Sequence, residues 1–203
     1  MRPEAMEAIG APLATSSNCA LKEWTSVVQA LREGVQTVLM RKGGLQDEEG
    51  SFKLVRDEFF LFPTYEHQKV ERLAPRYRRF LSAGPSDPSS IYVDTYARVI
   101  EVHALRRASH LEPFSHLHIL SPDYLEERFL ARPEEPLWLI LVQTYRLQQP
   151  LSIPNEREYG GCRSWVTLRQ EISTRAVKSV LSEERLAEVR QSVQTIVSAL
   201  PRA

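Results

Sequence analysis

The chain predicts an α+β fold: a mixed, mostly antiparallel sheet or small barrel with flanking helices and a C-terminal helix. Three observations carry this. Ile91–Leu105 and Leu137–Leu147 are long, rich in β-branched, aromatic and aliphatic residues, and free of Gly and Pro. The strand candidates do not alternate regularly with helices, which disfavours a doubly wound parallel sheet. The last segment, from Ser182, places Leu186, Val189, Val193, Ile196 and Leu200 on one side of a helix, with Glu183 and Glu184 at its positive end.

Residues 1–17 carry Pro, Ala, Ser and Glu without periodicity and read as a loose leader. Ala20–Glu33 reads as a helix, because Leu21, Trp24, Val27, Val28 and Leu31 recur at helical spacing. Ser17 or Asn18 would cap its start, and Gly34 fits the left-handed residue after its end. Val35–Arg41 reads as a strand, Lys42-Gly43-Gly44 as a turn, 45–51 as a hairpin loop, and Phe52–Val55 and Phe59–Phe62 as short strands. A charged stretch to Leu81 reads as helix, broken at Pro75. Residues 82–90 have loop composition, and Ile91–Leu105 would place Asp94, Arg98 or Glu101 outward, depending on register. Ser121-Pro122-Asp123 is a helix start for a segment ending near Leu130. Leu137–Leu147 is a strand closed by Pro150 and Pro154, followed by a polar loop at 155–163 and a strand at Trp165–Leu168. The organisation expected is a leader at 1–17, one core domain at 18–170 and a helical extension at 171–203.

The 203 residues suit one domain. Lys+Arg and Asp+Glu balance at 26 each, which argues against polyanion binding by the whole surface. A local basic cluster exists nonetheless: Lys69, Arg72, Arg76, Arg78 and Arg79. It reads either as a solvated face or as a binding patch. No apolar run approaches the roughly 20 residues of a membrane helix, and the start lacks an apolar signal core, so no membrane partner and a cytoplasmic location are expected. Two cysteines, Cys19 and Cys162, fit a reducing compartment.

Four clusters could carry chemistry. Arg41-Lys42-Gly43-Gly44 sets two cations beside a glycine turn, which either holds a phosphate or is a plain surface turn; the phosphate-loop pattern is absent. Phe62–Gln68 gathers Tyr65, able to stack on a base, Gln68, able to bond a base edge, and His67 beside Glu66, or else Thr64 caps a helix and the rest is structural. His103 and His116-Leu117-His118 place imidazoles at strand spacing without carboxylate or thiol ligands in recognisable register, so no metal site and no cofactor are expected. Tyr159-Gly160-Gly161-Cys162-Arg163-Ser164-Trp165 combines glycines, a thiol, a cation and aromatics, and reads as a ligand loop or as a turn before a core strand. The residues two before each lysine are Ala20, Met40, Ser51, His67 and Ala176, so the acid that restriction-type nucleases place there is missing.

Ala20-Leu-Lys-Glu-Trp24, Ala30-Leu-x-x-Gly34, Arg41-Lys-Gly-Gly44 and Phe60-Leu-Phe-Pro-Thr-Tyr-Glu-His-Gln68, with Tyr159-Gly-Gly-Cys-Arg-Ser-Trp165, resemble the family called domain of unknown function eighteen-zero-two, over residues 19–170. Some of its members are joined to Mrr-type restriction endonuclease domains, which implies an association with restriction-modification and a restriction endonuclease as partner. No catalytic residue carries over. The Gly34-x-Gln36 strand ending in Arg41-Lys42-Gly43 is also similar to the small barrels of the PUA-like superfamily, which implies a cleft for RNA or a flipped base. These features lead to an expected nucleic-acid-binding module, for DNA or RNA, reading a modified or flipped base through Trp24, Arg41, Lys42, Gly43, Gly44, Tyr65, His67, Gln68, Tyr159, Arg163 and Trp165. The alternatives are an enzyme acting on a nucleotide or small metabolite through Glu66, His67 and Cys162, and a non-catalytic partner subunit docking through its C-terminal helix.

Overall fold

A computed structural model describes residues 9–42, 56–82, 84, 87, 89–161 and 163–201. Seven strands form one mixed, mostly antiparallel sheet: β1 (Ser16–Trp24), β2 (Val38–Arg41), β3 (Glu58–Thr64), β4 (Ser90–Leu105), β5 (Leu137–Pro154), β6 (Trp165–Ser173) and β7 (Val177–Ser179). Their order is β2-β5-β4-β3-β1-β6, with β7 pairing the second half of β5. Only β1 and β3 run parallel among the described pairs. Three helices flank the sheet: α1 (Thr25–Arg32), α2 (Pro122–Leu130) and α3 (Glu183–Ala199).

Along β1 and β3 successive residues alternate between two cores, whereas Val38, Leu39 and Met40 of β2 all join the larger one. On β3, Phe59 and Leu61 face the larger core, which includes Val27, Leu31, Leu125, Leu186 and Val193 from the helices, while Phe60 and Phe62 face a smaller core with Tyr96, Tyr145, Tyr159 and Leu168. The sheet ends at β2 on one side and at β6 on the other. Its two outer strands meet through a side chain: Arg41, at the end of β2, donates from Nη2 to Ser164 Oγ, just before β6, at 2.8 Å.

Several expectations hold. Ser121 accepts from the Tyr124 amide and starts α2, and Ser182 accepts from Arg185 and starts α3. Gly34 sits at φ 72°, where a Cβ would also meet Leu181 Cδ2 at 3.0 Å. Others are corrected. Residues 20–24 are strand, not helix: β1 pairs with β3 and β6 on its two sides, and Ala20 and Leu21 are buried on opposite faces. That tertiary pairing overrides the helical spacing of Leu21 and Trp24. The charged stretch to Leu81 is two 3₁₀ turns, Val70–Arg72 and Pro75–Phe80, because Pro75 restricts its predecessor and Leu73 bridges to Leu120. β5 continues through Pro150 to Pro154. The proline lies where the pairing with β4 shifts between Val93 and Thr95, an irregularity that needs no amide there. The expected turn, loop and strand at 43–55 lie outside the described residues.

The largest correction concerns charge. Arg98 and Glu101, expected among the outward positions of β4, are buried. Arg98 donates to Glu58 Oε1 and to the carbonyls of Ala11 and Pro12, the latter two at 2.6 Å. Within the stretch expected as leader, Ser16 and Ser17 belong to β1, and Ala14 donates to Glu58 at 3.0 Å. Glu101 accepts from Arg190 Nε at 2.6 Å and from Gln194, and its second oxygen meets His103 Nε2 at 3.1 Å. With Leu186, Val189 and Val193 buried beside this pair, α3 packs into the chain's own core, which removes the apolar face a partner would use.

Candidate ligand cavity

The parallel strands β1 and β3 end side by side, and their ends wall a cavity of about 140 Å³. β1 contributes Lys22, Glu23 and Trp24, and β3 contributes Thr64. β2 contributes Met40 and Arg41, and α2 contributes Tyr124 and Arg128. Trp24 and Tyr124 stack with ring centres 5.1 Å apart and an interplanar angle of 25°. The Arg72 guanidinium lies 5.7 Å from the Trp24 ring and 5.0 Å from the Tyr124 ring, held by its bond to the His67 carbonyl at 2.9 Å. Arg128 lies 5.7 Å from the Tyr124 ring and donates to its hydroxyl at 3.2 Å. These are cation–π distances.

Arg41 is fixed from three sides. It donates to Glu23 Oε2 at 2.9 Å, to the Lys22 carbonyl at 3.1 Å and to Ser164 Oγ. Its Nε is buried with no partner in the structure. The lining carries two arginines, Arg41 and Arg128, against one carboxylate, Glu23; Lys22 also lines it, but its Nζ donates to the Gly161 carbonyl at 3.0 Å and lies over the Phe62 ring. An aromatic wall, fork-shaped donors and an excess of positive charge suit a planar ring joined to an anion.

Trp24 and Arg41 are the expected site residues that the fold brings to this cavity. Lys42 is turned inward: its Nζ donates to the Glu135 carbonyl and lies 4.6 Å from the Phe129 ring, and burial pushes its pKa down. A lysine so engaged is not a phosphate ligand on the surface. Gly43, Gly44 and Cys162 lie outside the described residues. Tyr65 is half-buried, and Glu66 and His67 are exposed in the turn after β3, where His67 takes a left-handed φ of 63°. Gln68 Oε1 accepts from the Ser26 amide at 3.0 Å, so it serves the start of α1. Tyr159 is buried: its hydroxyl accepts from the Arg169 amide at 3.0 Å and its ring meets Phe62 edge-on. Trp165 packs edge-on against Phe59, with ring centres 5.1 Å apart, and Arg163 is exposed. The histidines do not share a face. His103 is paired with Glu101 on β4, His118 is buried, and His116 is exposed in an irregular segment rather than a strand. Among the described residues, no three His, Cys, Asp or Glu side chains are placed to hold a metal. No helix among them is long and apolar enough to cross a membrane.

Tyr124 and Arg128 complete the aromatic and cationic walls, with Arg72 over the rings, and sequence reasoning missed their role. The available signal was weak: a tyrosine and an arginine four residues apart on α2, and an arginine within a basic cluster.

Fold and site together define an α+β domain with an aromatic, cation-lined cavity at the end of its parallel strand pair. The chain belongs to the family described as Domain of unknown function (DUF1802), which matches residues 20–192. No curated protein matches it. Among solved structures it is similar to ASCH from Zymomonas mobilis, at 12% identity and a TM-score of 0.41 over 91% of this chain and 96% of that one. A serine-to-alanine mutant of that protein is similar at the same identity and score, over 88% of this chain and 99% of the other.

Proposed function

We propose that the protein is a nucleic-acid-binding module that takes one base into the cavity lined by the stacked Trp24–Tyr124 pair. The observation that carries this reading is the stacked pair itself, flanked by Arg41, Arg72 and Arg128. Stacking on an aromatic contributes about 1–3 kcal/mol per base and tolerates any base, while arginine forks hold the attached phosphate. A base entering a cavity of about 140 Å³ has to leave its own stack, which favours unpaired, mismatched or modified nucleotides over intact duplex. The family resemblance to proteins fused with restriction endonuclease domains makes cytosine modifications the first to try, and a restriction endonuclease the first partner.

The test is fluorescence polarisation against short single- and double-stranded DNA, RNA, and strands bearing methylated or hydroxymethylated cytosine, at two salt concentrations. Salt-sensitive binding with a preference for unpaired or modified bases is expected. No binding to any of them at low salt overturns the reading.

A further inference from the structure

The basic cluster at 69–79 does not line the cavity, but Arg72 stands over two rings that do, Trp24 and Tyr124. Its only acid is Glu71, against Lys69, Arg72, Arg76, Arg78 and Arg79. The structure lays this cluster out as a strip. Arg72 stands over the stacked rings at one end. At the other end, Arg79 reaches Glu33, the residue after α1, at 3.3 Å. The strip thus runs the length of α1, whose eight residues span about 12 Å. Arg76 and Arg79 are exposed, and each lies over the ring of the next residue, 4.7 Å from Tyr77 and 4.6 Å from Phe80. Within a 3₁₀ turn, residues three apart eclipse, so these two guanidiniums point the same way, about 6 Å apart along the axis. Stacked nucleotides advance about 3.4 Å each along a strand, so the strip has room for three or four of them.

We propose that residues 72–79 form a phosphate track, along which a single-stranded nucleic acid runs from the cavity toward the C-terminal end of α1. This rests on the cavity holding a base. Arg76 and Arg79 are exposed and each is held over a neighbouring ring, which limits the rotamer freedom lost on gripping a phosphate. The Arg79–Glu33 pair is exposed on both sides and therefore weak, so a phosphate displaces Glu33 readily.

The experiment compares a mononucleotide, an eight-nucleotide single strand and a blunt duplex across a salt series, with the wild type, Arg76→Gln/Arg79→Gln, Glu33→Gln and Trp24→Ala. For the single strand, the double variant should lower the slope of log K against log salt by about 1.4, since each contact contributes about 0.7. Its mononucleotide affinity should match the wild type. Glu33→Gln should tighten strand binding, because Arg79 is released. An unchanged slope in the double variant, with wild-type strand binding intact, overturns the track and leaves the cavity reading standing. A Trp24→Ala variant that binds mononucleotide and strand as well as the wild type overturns the cavity reading, and the track that starts there falls with it. Duplex binding equal to single-strand binding overturns the single-strand assignment.

Discussion

Arg98 and Arg41 each pair with a glutamate on another strand, and the two pairs stand at different places on the sheet. Arg98 is fully buried, and its guanidinium is occupied by Glu58 and by two backbone carbonyls of the N-terminal segment. Arg41 is 11% exposed, shares its wall with stacked aromatics, and keeps one buried nitrogen without a partner. The first arrangement is closed, since its donors are consumed by the chain. The second is a scaffold with capacity left over. An arginine with every donor taken stabilises the fold, whereas one held at a cavity edge with capacity to spare is placed for a ligand.

The sharpest way to break this comparison is to make the same substitution at both positions. Arg98→Met strands the Glu58 carboxylate and releases Ala11 and Pro12, so it should destabilise by about 3–5 kcal/mol, as removal of one member of a buried pair does. Arg41→Met should cost less, about 2 kcal/mol in denaturant unfolding, because it frees one backbone carbonyl where Arg98→Met frees two. It should weaken nucleic-acid binding at least tenfold. Equal stability losses at the two positions, measured by urea denaturation, would erase the distinction.

Acid should reach the cavity end first. His118 accepts the Leu120 amide at Nδ1, at 3.2 Å, and Leu120 lines the cavity. Burial, helped by the neighbouring His116, holds the His118 pKa down to about 4, against an ordinary 6.5. The unfolded chain therefore binds the extra proton first as pH falls. Stability is complete above 6.5 and is lost progressively between 6.5 and 4, by roughly 3 kcal/mol in all. His118→Asn offers an oxygen to the same amide and carries no proton, so its stability should be flat over that interval. An unaltered acid limb in the variant would assign the loss to another group.

The sheet was readable where hydrophobic pattern and turn chemistry agree: β4, β5, the Ser121 and Ser182 caps, and Gly34 after α1. It was unreadable where pairing decides. The shifts of β4 against β5 between Val93 and Thr95 and between Val99 and Glu101 break strict alternation, so a period-two reading puts one of Arg98 and Glu101 in solvent, whereas both are buried. Half of the cavity was visible as Trp24 and Arg41, which neighbour each other through β1 and β2. The other half comes from Tyr124 and Arg128, about a hundred residues further along, and nothing local to them says that α2 returns to the end of β1. Tyr159 and Lys42 misled for the opposite reason. A buried phenol bonded to an amide and a lysine bonded to a carbonyl look, in sequence, like residues waiting for a ligand.

The smallest effect tests the same distinction at Gln68. Its position after Tyr65 and His67 suggests a base reader, yet the structure gives its oxygen to the Ser26 amide, at the start of a helix whose own N-cap, Trp24, supplies no side-chain bond. As a cap, Gln68→Ala should lower stability by about 1 kcal/mol. Gln68→Glu should restore it, because a carboxylate accepts the same bond and complements the helix's positive end. Neither change should alter which base is preferred. If Gln68→Glu keeps stability but shifts base preference, the side chain leaves the helix to meet the ligand, and the boundary between scaffold and reader has to be redrawn to include the turn after β3.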